Sequence, residues 1–135
     1  MLKLIVGLKG SGKTKTLIDL ANGSIKNTDG SVICIEKGTK LIHEIKHQVR
    51  LIDTEEYGID DAHALFGFVS GICASNHDVT DIFIDSALKI CDNNVAEFEV
   101  FIKNTAAFAE KRNIRFVITS SIKVEDVPAD IAKYI

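Results

Sequence analysis

The sequence predicts a three-layer α/β sandwich around a five-stranded, mainly parallel sheet, built as a single domain over residues 1–135. Three observations predict it. Short runs rich in Val and Ile alternate with helical hydrophobic patterns, as a βαβ chain requires. Within those runs apolar residues are continuous rather than alternating, the pattern of strands covered on both faces. A length of 135 residues suits one core, because each half alone would be near the size where folding becomes marginal.

The elements follow in order. Leu2–Val6 reads as the first strand, and after a glycine-rich turn Lys13–Asn22 reads as a helix that Gly23 stops by taking the left-handed conformation. Val32–Ile35 and Val49–Ile52 are the next two strands, with a short helix expected over 39–48 between them. Asp60 and Asp61 supply an N-cap and a favourable negative charge for a second helix, whose Ala62, Leu65, Phe66, Val69, Ile72 and Cys73 share one face. Ile82–Ile84 is the fourth strand. Phe98, Phe101, Ile102, Thr105, Phe108 and Ala109 form the inner stripe of a long helix set between Asp92-Asn93 and Asn113. That spacing makes the phenylalanines core residues rather than a platform for stacking bases. Ile114–Ile118 is the fifth strand, and Pro128 suits the first turn of a small terminal helix. Cys34, Cys73 and Cys91 are odd in number, far apart and set among apolar residues, so buried thiols are expected rather than disulfides.

Composition narrows the function classes. With 46% hydrophobic and 26% charged residues, one Pro and nine Gly, the chain is of the soluble globular type, and collagen-like or low-complexity classes are excluded. A net charge of −3 gives no general attraction to nucleic acid or to an anionic membrane. The apolar run at the start is too short for a signal peptide, and no run of about 20 apolar residues follows. A cytoplasmic protein with no membrane or nucleic-acid partner is the expectation.

Gly7-Leu8-Lys9-Gly10-Ser11-Gly12-Lys13-Thr14 fits the pattern G-x-x-x-x-G-K-[ST]. Its glycines let the backbone wrap so that successive N–H groups point at phosphate oxygens, and the following helix adds its positive end. Lys13 would bridge the β- and γ-phosphates, the Thr14 hydroxyl would bind Mg²⁺, and Lys15 completes the nucleotide-binding set. Context supports the motif, which follows a strand and opens a helix at the start of a βαβ chain. Mg²⁺ keeps several waters and takes few protein groups directly, so a second carboxylate is needed. Asp85 is the candidate, at the end of Asp81-Ile82-Phe83-Ile84-Asp85 and on the same sheet edge as the glycine-rich turn. Asp81 begins that strand, at the opposite edge, and is expected to be a solvated charge.

A rival motif lies at His43-Glu44-Ile45-Lys46-His47, which matches H-E-x-x-H, two zinc-binding histidines one helical turn apart with a water-activating Glu. The segment has about ten residues between two strands, no third ligand at a recognised spacing, and Lys40 and Lys46 within it. A solvated helix face is the expected reading. Lys37, Lys40, Lys46 and Arg50 make it locally basic.

With the loop and Asp85 in place, most of the chain resembles a minimal RecA/KaiC-like P-loop ATPase core. Three further features carry the resemblance: Ile33-Cys34-Ile35-Glu36 ending in Glu, the strand Arg50-Leu51-Ile52-Asp53, and Asp85 followed by Ser86 instead of Glu. The resemblance implies bound ATP or ADP with Mg²⁺, the general base at Glu36 because Ser86 cannot serve, and a polar γ-phosphate-sensing position at Thr119-Ser120-Ser121, with Ser120 contacting nucleotide. It also implies that strand 114–119 lies between the first strand and strand 80–85, with strands 31–36 and 49–53 beyond. Such cores commonly complete a site with a basic group from a neighbour, and Lys123 is so placed, so weak self-association strengthened by ATP is expected. The chain contains no counterpart of the family's DNA-binding loops or extra domains. Slow ATP hydrolysis is the implied activity, the alternative being a nucleotide-binding module whose bound state controls a protein partner. A weaker resemblance to thymidine kinase implies a nucleoside phosphotransferase, but that family's Asp-Glu pair reads Asp85-Ser86 here and its zinc-bearing lasso is missing.

Overall fold

The structure, a computed structural model, describes residues 1–135. Its five strands are β1 (Leu2–Gly7), β2 (Ser31–Glu36), β3 (Val49–Asp53), β4 (Val79–Ile84) and β5 (Arg115–Ser121). They form one sheet in the order β1-β5-β4-β2-β3, and every pairing between them is parallel. The order matches the one that the resemblance implies.

Side-chain alternation along the strands divides the core into two layers. Ile33 and Ile35 of β2, Ile82 and Ile84 of β4, and Phe116 and Ile118 of β5 face one side. There they meet helices α2 (Ala62–Ser75), α3 (Ala87–Ile90) and α4 (Val95–Arg112). Val32, Cys34, Phe83 and Val117, the intervening residues, face the other side with Leu17, Ile18 and Ala21 of α1 (Lys13–Ser24). Both faces of the central strands are therefore covered, which is why their sequences read as continuous apolar runs. No helix is long and apolar enough to cross a membrane.

Several local expectations hold. Asp61 caps α2 by accepting from the Ala64 N–H at 2.7 Å, and Asn113 ends α4 in the left-handed conformation. Phe98, Phe101, Ile102, Thr105 and Ala109 are buried on one stripe of α4, and Phe108, also expected there, is half-buried against the same core layer. Cys34, Cys73 and Cys91 are all free; the first and third are buried and Cys73 is half-buried.

Other expectations are corrected. Gly23 does not stop α1, which runs on to Ser24 because Leu17, Ala21 and Ser24 continue the buried face and the Ser24 hydroxyl donates to the Ala21 carbonyl at 2.7 Å. Asp81 is buried, not solvated, because the parallel register sets it beside Arg115, whose guanidinium lies 3.5 Å from its carboxylate. Asp92 and Asn93 do precede α4, both in left-handed backbone, and Asn94 between them and the helix is its N-cap. After β5 only two short 3-10 turns form, at Val124–Asp126 and Ala132–Tyr134, with the Pro128 carbonyl accepting from Ile131 and Ala132 between them.

Residues 39–48 form no regular helix. One turn closes on itself, the Leu41 carbonyl accepting from Glu44 and Ile45 at 2.9 and 3.0 Å, while the flanking backbone groups are taken up by side chains from neighbouring elements, which compete with helical hydrogen bonds. Glu36 accepts from the Lys40 and Leu41 N–H groups at 3.1 and 3.0 Å. Asn22 of α1 donates to the Glu44 carbonyl at 2.8 Å and accepts from the Lys46 N–H at 2.9 Å. Leu41 and Ile45 tuck into the α1 side of the core and fix the turn.

Candidate functional site

All five strands run in the same direction, so whatever follows their carboxyl ends gathers at one edge of the sheet. The Gly7–Thr14 loop after β1, Glu36 at the end of β2, Asp85 after β4 and Ser121 at the end of β5 meet there around a cavity of about 490 Å³.

The loop holds its shape through backbone that side chains disfavour. Gly10 and Gly12 have φ of +88° and +86°, in the left-handed region open to glycine at little cost, and the Ser11 N–H closes the turn onto the Leu8 carbonyl at 3.2 Å. Gly12 then caps α1, so the helix begins at Lys13 with its free N–H groups directed at the cavity. Lys13 Nζ donates back to the Leu8 carbonyl at 3.0 Å and lies 3.5 Å from Ser11 Oγ, arching over the loop. Lys9, Gly10, Gly12, Lys13, Thr14 and Lys15 line the cavity. Gly7, Leu8 and Ser11 form the loop without lining it.

Asp85 faces Thr14 across the cavity floor. The Thr14 hydroxyl donates to its carboxylate at 3.1 Å, and Thr119 of β5 donates to it at 2.7 Å. The Thr119 hydroxyl also accepts from the Ser86 N–H at 2.8 Å, so a single threonine fixes the carboxylate and the turn that follows it. Ser86 takes left-handed backbone, φ +56°, and sends the chain into α3 under the end of β5. Thr14 and Asp85 present hard oxygen donors side by side, which suits an ion that keeps most of its own water. No group of three or more His, Cys, Asp or Glu side chains is arranged to hold a metal ion. His43 and His47 lie exposed on the irregular turn, so the helical spacing that H-E-x-x-H needs is not formed.

Glu36 lines the cavity yet is only 3% exposed. Burial pushes its carboxyl above the ordinary range; the Leu41 and Lys40 amides pull the other way, and the charges of Asp85 and Asp53 add to the rise. Neighbouring Cys34 is pushed up to about 12, first by burial and then by Asp85 and Glu36, and Cys91 also reaches about 12. At neutral pH both are protonated and inaccessible. A disulfide reagent is expected to label no more than one thiol per native chain, at Cys73, against all three in denaturant, counted by absorbance and mass spectrometry.

Ser120 does not reach the cavity. It is fully buried, donating to the Thr119 carbonyl at 2.7 Å and accepting from the Leu88 N–H at 3.3 Å, so it ties β5 to α3. The neighbouring Ser121, pointing the other way along the strand, lines the cavity in its place. Lys37, Lys40 and Lys89 line it as well. The first two belong to the basic segment noted in the sequence. Lys89 sits on the four-residue α3, which carries too little periodicity to be read in advance. Lys123 is exposed at the start of the 3-10 turn after β5.

No protein-family model matches the chain, and a comparison with curated proteins finds no match.

Proposed function

We propose that the chain binds a nucleoside triphosphate, with ATP and Mg²⁺ as ligands, as a P-loop core of the RecA-like kind, and hydrolyses it slowly. The observation that carries this reading is the convergence of Lys13, Thr14 and Asp85 on one cavity floor, from two segments 71 residues apart that meet through the Thr14–Asp85 hydrogen bond. The loop amides and Lys13 would hold the phosphates. Thr14 and Asp85 would hold the ion, which when bound neutralises phosphate charge. Glu36 is the carboxylate at the cavity wall available to orient water.

The test is calorimetry of ATP and ADP with Mg²⁺ or with a chelator, on the wild type and Asp85→Asn. Removing one charge from an ion site is expected to weaken Mg·ATP binding about tenfold while changing metal-free ATP binding less than about threefold. Equal losses with and without metal would take Asp85 out of ion binding, and absence of nucleotide binding to the wild type would end the reading.

A second reading, the non-hydrolysing regulatory module, is favoured by one local observation. Each Glu36 oxygen is already held by a backbone amide, and Ser86 follows Asp85. A turnover assay at several protein concentrations separates the two readings and also registers activation by self-association.

A further inference from the structure

The same cavity carries more positive charge than a phosphate loop requires, and it offers no wall for a base. Lys9, Lys13 and Lys15 approach from the loop side, Lys37 and Lys40 from the turn after β2, and Lys89 from α3, against two carboxylates, Glu36 and Asp85. Of these six lysines only Lys15 has an acidic partner, Asp19 at 3.6 Å; no carboxylate lies within salt-bridge distance of the other five. This concentration occurs in a chain of net charge −3, so it belongs to the site and not to the protein as a whole. It is also held in place. Glu36 pins the Lys40 amide, and Asp53 accepts from the Gly38 N–H at 2.8 Å, so two strand-end carboxylates anchor the turn that brings Lys37 and Lys40 to the rim.

Sites that recognise a heterocycle are lined mainly by apolar and aromatic side chains, with a few polar groups setting orientation. Here the proportions are reversed. Leu41 is the only hydrophobic residue among those lining the cavity, it is 3% exposed, and no aromatic ring reaches the space. No arginine lines it either, so the charge comes from compact ammonium groups, which attract anions without imposing the planar, two-point geometry of a guanidinium.

We infer that the site recognises the linear triphosphate chain itself and not the nucleoside, so that ATP, other nucleoside triphosphates and inorganic tripolyphosphate are equivalent ligands. The inference rests on the triphosphate-binding reading above and specifies its ligand class. Affinity follows phosphate number and charge, and the base remains outside the lysine-lined cavity.

The experiment is calorimetry of the full chain with Mg²⁺ and, separately, ATP, GTP, CTP, inorganic tripolyphosphate and adenosine. The four triphosphates are expected to bind within about fivefold of one another, with no heat from adenosine. The triple variant Lys37→Ala/Lys40→Ala/Lys89→Ala should weaken all four by a common factor of about three to ten, because it removes charge and not shape. A preference of more than about fivefold for ATP over GTP or over tripolyphosphate, or binding of adenosine alone, would overturn the inference while leaving nucleotide binding intact. Failure of every triphosphate to bind would remove both. A melting curve of the triple variant, unchanged or raised because repelling lysines are gone, shows that its weaker binding is not a folding defect.

Discussion

Replacing Lys13 by alanine is expected to weaken Mg·ATP binding by about 10- to 150-fold, because charge-assisted contacts to phosphate contribute about 1.5–3 kcal/mol. The fold should hardly notice. Lys13 Nζ bonds only the Leu8 carbonyl and, weakly, Ser11 Oγ, both open to water that can replace it, so a surface-type change within about 0.5 kcal/mol is expected. Lys15→Ala is the control. Its ammonium is exposed and already beside Asp19, and a loss of no more than about threefold is expected from an exposed pair of this kind. Calorimetry gives the affinities and a thermal melt gives the stability. A Lys13→Ala protein that binds Mg·ATP within about threefold of wild type would mean that the arched ammonium is a brace for the loop and not a ligand contact.

The elements that could be read from the chain are those whose pattern is set by their own residues. Ile82–Ile84 and Ile114–Ile118 announced buried strands because both faces of each are covered, and that same cause makes Asp85 the first residue after a strand end, at the loop edge. What escaped depends on partners distant in sequence. Asp81 looked like a solvated charge because nothing nearby says that Arg115, on a strand formed 34 residues later, will lie beside it in register. The short helix expected over 39–48 is cut to a single turn, in which the Leu41 carbonyl accepts from Glu44 and Ile45, because the flanking backbone groups bond Glu36 and Asn22 instead. Ser120 and Ser121 alternate across β5, so an error of one residue exchanges a buried tie to α3 for a cavity wall. Lys89 enters the site only because Ser86 turns the chain with left-handed backbone, a conformation that serine rarely takes and that no local signal announced.

Glu36→Gln is expected to lower turnover by about 10²-fold or more, on the scale of general-base losses, while Mg·ATP binding stays within about threefold. The raised carboxyl range of Glu36 suits a group that must exchange a proton, and each of its oxygens keeps a lone pair beyond the one given to Lys40 or Leu41. The substitution also has a structural consequence that must be separated from the chemical one. Glutamine offers one accepting oxygen, so either the Lys40 or the Leu41 N–H would face an amide –NH₂, at a cost of about 1–3 kcal/mol in stability. A purely structural role predicts a lower melting temperature and weaker triphosphate binding, since Lys37 and Lys40 lose their anchor, but an unchanged rate at saturating ATP. A catalytic role predicts the fall in that saturated rate. Glu36→Asp completes the test: the shorter carboxylate keeps the charge yet cannot reach both amides, so it should recover some turnover if the carboxylate acts on water and recover none of the anchoring. Single-turnover measurements with saturating Mg·ATP decide between them, and a saturated rate unchanged in Glu36→Gln would leave Glu36 as the anchor of the lysine turn alone.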